Sequence, residues 1–197
     1  MRLVSDKRYE ELRQIGADII EDYAFSYPLN PYEMAAQFGC EIVFYSRQVL
    51  SKLSDIEFEF TCSDGMSFRF VEGNNYRYKV ALHSSEQSPR SQFTLMHEIA
   101  HIVLNHHGSD APNEELEQEA NFLASFLIMP EILALWICKY KYGNESFDWI
   151  ADFCGVSAEC ANWMQNRIQK RKKRSKTILP YEKQILDSVQ NGIIKIS

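Results

Sequence analysis

The chain has 197 residues, 45% of them hydrophobic, which suffices for the core of one enzyme-sized domain. Its 27 acidic and 21 basic residues leave a formal charge of −6, and because an acidic surface repels phosphates, this argues against general nucleic-acid affinity. The five cysteines, Cys40, Cys62, Cys138, Cys154 and Cys160, are odd in number and never spaced Cys-x-x-Cys, so they read as reduced thiols rather than a disulfide framework.

Residues 6–23 predict a helix with Leu12, Ile15, Ile19 and Ile20 on one side, and residues 31–38 a second one that Gly39 stops. Strands follow. Residues 41–45 are β-rich; Ile56, Phe58, Phe60 and Cys62 alternate with Glu57, Glu59 and Thr61 before a turn at Ser63-Asp64-Gly65. Met66, Phe68 and Phe70 alternate again, and Gly73-Asn74-Asn75 leads to Tyr76, Tyr78, Val80 and Leu82, which together predict an antiparallel meander of three or four strands. Ser88 as N-cap, Pro89 at the first helical position and Gly108 as a left-handed stop delimit a helix over residues 89–107. The remainder reads as helices over 112–129, 130–140, 145–153, 157–173 and 180–190. Helices packed on one small sheet make an α+β domain, mainly helical, with the sheet preceding the 89–107 helix. The expected division is a main domain over 1–143 and a helical segment over 144–197 packed on it. No N-terminal apolar segment suggests secretion, and the best candidate membrane span, 122–138, is broken by Pro130-Glu131, so a cytoplasmic location is expected.

The most informative stretch is His97-Glu98-Ile99-Ala100-His101. On a helix, residues four apart share a face at about 5–6 Å between Cβ atoms, so two imidazole nitrogens can converge on one tetrahedral cation while Glu98 reaches a water on it. Phe93, Met96, Ile99, Ala100, Val103 and Leu104 surround the motif with apolar surface, and a buried histidine pair beside a glutamate requires a partner such as a divalent ion. The third ligand is expected from the next helix, which carries Glu114, Glu115, Glu117 and Glu119. Glu117 shares a stripe with the small residues Ala120, Asn121 and Ala124 and is the candidate; Glu119 points toward the side of Phe122 and Leu123, and the other two favour the helix N-terminus electrostatically. His106 and His107 are expected to complement the dipole at the helix end rather than bind metal.

Two blocks carry a family resemblance: Phe93-Thr94-Leu95-Met96-His97-Glu98-Ile99-Ala100-His101, and Glu117-Gln118-Glu119-Ala120-Asn121-Phe122-Leu123-Ala124 with Leu127-Ile128-Met129-Pro130 after it. In this order and spacing they resemble the ImmA/IrrE zinc metallo-endopeptidases, and similarity extends from roughly residue 7 to residue 170. The resemblance implies a zincin-like fold and places the first glutamate of the family's Glu-x-x-Ala block on Glu117. It implies Zn²⁺ held by His97, His101 and Glu117, with Glu98 as the base that takes a proton from water and returns it to the leaving amine. The edge of the meander is expected to take an extended substrate by strand addition. It further implies a bacterial or phage-borne regulatory protease whose protein substrate is a helix-turn-helix repressor, cleaved to derepress mobile-element or stress genes. His83, Tyr76, Tyr78 and Arg90 lie near the site in sequence, and none is singled out as the oxyanion stabiliser.

A second reading concerns residues 149–163, where Gly155 at a turn and Ser157 capping the next helix have the look of a helix-turn-helix. The basic residues of 167–176 lie beyond it, so the protein could be a DNA-binding regulator with the metal domain as its sensor. Against this, Glu159, Cys160, Ala161 and Trp163 are poor readers of bases, and the basic run also suits a solvated helix end.

Overall fold

The computed structural model describes residues 4–45, 65–73, 75–83, 88–106, 113–143, 146–174 and 177–197. The predicted strand through Ile56 and Cys62, its turn at Ser63-Asp64, His107 and the Gly108 stop lie outside them. Helix α1 spans Asp6–Tyr23 and begins where the Ser5 hydroxyl accepts the Arg8 N–H at 3.1 Å. It buries Leu12, Gly16, Ala17, Ile19 and Ile20 and ends at Ala24, whose φ of 51° turns the chain away. Helix α2, Pro31–Gln37, is capped by Asn30 and opened by its proline.

Strands β1 (Cys40–Phe44), β2 (Gly65–Glu72) and β3 (Asn75–Leu82) form one sheet in the order β1-β3-β2. The β2–β3 hairpin is antiparallel, as expected, with Gly65 opposite Leu82 and Glu72 opposite Asn75. β1, however, joins β3 in parallel, Cys40 opposite Tyr78 and Phe44 opposite Leu82. The sheet is thus mixed rather than a pure meander. Alternation of side chains fixes which face of a strand is buried but is silent on the direction of its neighbour.

Helix α3 (Pro89–Val103) lies against β2 and β3 and against helix α4 (Glu114–Ile128), which in turn packs on α1. Gly16 of α1 makes that approach possible, since a Cβ there would stand 2.5 Å from the Phe126 ring. Met129, extended at φ −154°, and Pro130 end α4; α5 (Glu131–Ile137) follows and runs into a π-helical turn, Cys138–Tyr142, closed by Gly143 at φ 62°. The stretch Glu114–Tyr142 has the length and apolarity of a membrane span, but 72% of its window is buried inside this fold. Helix α6 (Ile150–Cys154), the left-handed Gly155 and α7 (Ala158–Arg174) make the turn foreseen at residues 149–163, and the Ser157 hydroxyl accepts the Cys160 N–H at 3.2 Å. α7 sets Ala161, Met164 and Ile168 in the core and packs on α5; α8 (Pro180–Gln190) packs on α1.

One continuous cluster of buried residues joins Ala17 and Ile20 of α1 with Leu95, Met96 and Ile99 of α3, Leu123 and Phe126 of α4, Ile168 of α7 and Ile185 of α8. The architecture is α+β and mainly helical, in agreement with the expected class.

Candidate metal centre

His97, Glu98 and His101 stand on α3, whose start is fixed twice over: the Ser91 N–H donates to Ser88 Oγ at 3.1 Å and the Ser88 N–H to Ser91 Oγ at 2.9 Å. From that start the four-residue spacing turns both imidazoles the same way, and their Nε2 atoms approach to 2.9 Å. Glu117 arrives in the first turn of α4, which begins where Asn113 Oδ1 accepts the N–H groups of Glu115 and Leu116 at 2.9 and 3.5 Å. Its Oε2 lies 3.1 Å from His97 Nε2 and its Oε1 3.3 Å from His101 Nε2. The two histidine side chains are 15% and 13% exposed and Glu117 is 53% exposed, so the imidazoles form a floor and the carboxylate an open rim.

The residues fit a zinc ion on geometry and on protonation. Bonds of about 2.0–2.2 Å at tetrahedral angles set ligand atoms about 3.3 Å apart, close to the 2.9, 3.1 and 3.3 Å found here. Asn121 Oδ1, an acceptor only, is 3.1 Å from His97 Nδ1, so that nitrogen carries the proton and Nε2 turns a lone pair to the centre. Burial disfavours the His97 cation, yet the hydrogen bond to Glu117 and the charges of Glu98 and Glu117 outweigh it and raise its pKa above the ordinary histidine value. Hydrogen bonds from His101 and His97 hold the Glu117 carboxyl far below the usual carboxylate range. Two imidazoles and a carboxylate facing one point attract positive charge, whether proton or divalent ion. Glu98, beside His97 on the same helix, is 7% exposed.

Three contacts were not foreseen. Asn121, placed on the Glu117 stripe as a merely small residue, orients His97; its position four residues after Glu117 was the available signal. Helix α3 stops at Val103, short of the expected residue 107, because Asn105 adopts φ 54° and folds the chain back so that the His106 N–H donates to the His101 carbonyl at 3.0 Å. His106 therefore lies against the ligand pair rather than at the end of a longer helix, its Nδ1 3.0 Å from His101 Nδ1. Glu119, expected only to point away from the Glu117 stripe, is buried and carries a fork from Arg8 of α1 at 2.8 and 2.6 Å and His106 Nε2 at 3.4 Å. Arg8 is chiefly responsible for holding the Glu119 carboxyl below the ordinary carboxylate range, while burial and the His101 charge keep His106 below the ordinary histidine value. Of the other sequence neighbours, His83 packs edge-on against Tyr45, with ring centroids 5.5 Å apart, and Tyr76 is 60% exposed beneath the Arg69 guanidinium.

The family model described as Peptidase_M78, IrrE N-terminal-like domain, matches residues 51–164, more than half of the chain. The chain belongs to the IrrE N-terminal-like peptidase family. This bears out the resemblance drawn from the two sequence blocks, and the family is of metallopeptidase type. No curated protein and no solved structure matches the chain. The IrrE-type match contains α3 and α4 with His97, Glu98, His101 and Glu117, whereas α1 and α8 lie outside it.

Proposed function

We propose that the protein is a zinc-dependent endopeptidase that cleaves a helix-turn-helix repressor inside the cell and so derepresses the genes under it. The observation that carries this reading is the convergence of His97, His101 and Glu117, whose ligating atoms all lie within 4.8 Å of one another, beside the buried Glu98. When bound there, zinc supplies a Lewis acid that polarises a peptide carbonyl and acidifies water. His97 and His101 would hold the ion through Nε2 and Glu117 through an oxygen. Glu98 takes the proton of the attacking water and gives it to the departing amine, one residue serving as base and then as acid. β2 lies at an edge among the described strands, and its outer backbone groups offer hydrogen bonds to an extended substrate.

The test uses the full chain loaded with zinc and the repressor encoded nearest to its gene. Metal analysis should return one zinc per chain, and mass spectrometry of the incubated repressor should find a single cut. Glu98→Gln should keep the zinc and lose cleavage, by at least about 10²-fold for loss of a general base. Cleavage retained by that variant removes Glu98 from its role, and a chain that takes up no zinc removes the enzyme reading altogether.

A further inference from the structure

Beyond the three ligating residues, an unbroken line of polar contacts runs from the centre into α1. His101 Nδ1 lies 3.0 Å from His106 Nδ1, His106 Nε2 lies 3.4 Å from Glu119 Oε2, and both Glu119 oxygens meet the Arg8 guanidinium at 2.8 and 2.6 Å. The side chains of His106 and Glu119 are only 6% and 7% exposed, so water does not compete freely for these bonds.

The direction of each hydrogen bond follows from the first. An imidazole that offers Nε2 to a cation carries its proton on Nδ1, so His101 Nδ1–H donates and His106 Nδ1 accepts. His106 then bears its proton on Nε2 and donates to Glu119, whose oxygens also accept from two Arg8 N–H groups. Every group has a partner of the right kind, and only this order of protons leaves the His101 lone pair aimed at the ion. Outer partners of this sort fix the tautomer and ring angle of a ligating histidine and raise its basicity.

We propose that His106, Glu119 and Arg8 are positioning residues for His101 and set the affinity of the centre for zinc, with Arg8 bringing the N-terminal helix into a site whose ligands all lie within residues 51–164. The proposal rests on the zinc reading above. It gives a role to a carboxylate that is buried two residues from Glu117 and meets Arg8 and His106 rather than His97.

The experiment is a zinc titration of the metal-stripped full chain against a chromophoric chelator, paired with the visible absorption spectrum of the cobalt(II)-loaded protein. Glu119→Ala and His106→Phe should each weaken zinc binding about 10–100-fold and alter the cobalt bands. His106→Asn, whose Oδ1 stands near the place of Nδ1 and can accept from His101, should recover most of the loss seen with phenylalanine. Glu115→Ala, exposed on the same helix, should change neither. Should Glu119→Ala fail to fold, the comparison of His106→Phe with His106→Asn at equal apo-protein melting temperature decides alone. Wild-type affinity and an unaltered cobalt spectrum in His106→Phe overturn the positioning role while leaving the protease reading intact; a wild-type chain that binds no zinc overturns that reading first.

Discussion

Asn121 shows how a single amide can decide the chemistry of a neighbour. Its Oδ1 can only accept, and at 3.1 Å from His97 Nδ1 it keeps the proton on that nitrogen and leaves Nε2 free for a cation. Asn121→Ala removes this constraint and should lower zinc affinity about tenfold or more without emptying the site, because both imidazoles and Glu117 remain. Glu117→Ala removes one of the three proposed ligands and should cost far more; metal content after dialysis against a buffered zinc pool distinguishes the two. Equal losses would mean that Glu117 contributes no more than an outer partner. At this scale the grouping was legible in the sequence: four-residue spacing sets His97 and His101 on one helical face, and the small residues of its stripe marked Glu117 on the next helix. Arg8, 111 residues from Glu119, was not, because no local period connects them.

At the scale of elements, the contact of α1 with α4 depends on an absent side chain. A Cβ on Gly16 would meet Phe126 atoms at 2.5 and 2.7 Å and Leu123 at 3.4 Å, and Phe126 is fully buried with no room to withdraw. Alanine in a helix interior ordinarily gains about 0.5–1 kcal/mol over glycine, but forcing a methyl into a packed core costs about 1–3 kcal/mol. Gly16→Ala should therefore be destabilising by about 1 kcal/mol net, read as a lower urea midpoint at unchanged m-value. A raised midpoint would show that the two helices can part. Helix starts were legible at Ser88 and Ser157, where a serine hydroxyl caps them. The end of α3 was not, because it depends on a left-handed asparagine that β2 also holds, Arg69 Nη1 donating to Asn105 Oδ1 at 2.7 Å. Nor was the parallel pairing of β1, since strand direction is decided by the path of the chain rather than by its alternation.

Across the whole molecule, α1, α5 and α7 meet at one buried carboxylate. Glu131 accepts from Arg167 Nε at 3.0 Å, with Arg13 Nη2 at 3.7 Å, and is 4% exposed. Burial alone would raise its pKa, but the charges of Arg167 and Arg13 outweigh that and bring it below the ordinary value of 4.5. A carboxyl depressed in the fold stabilises it fully above its unfolded pKa, and that contribution is lost as pH falls through the lower folded value. The contribution of Glu131 should therefore be intact down to about pH 4.5 and be lost below it. Glu131→Gln should be less stable by about 3 kcal/mol at pH 7, having removed the buried charge that Arg167 and Arg13 share, and should show a shallower decline in acid. Parallel acid limbs for the two proteins would mean that other carboxylates govern the decline.

The reversal at Asn105 makes the distance between two imidazoles a matter of counting rather than of helical pitch. An extra residue inserted between Val103 and His106 would shift the ring by up to about 3.5 Å along the backbone, beyond the reach of His101 Nδ1. A deletion would set it four residues after His101, where helical pitch rather than the corner would place its ring. This short corner should accordingly accept almost no change of length and, at Asn105, little beyond glycine or aspartate.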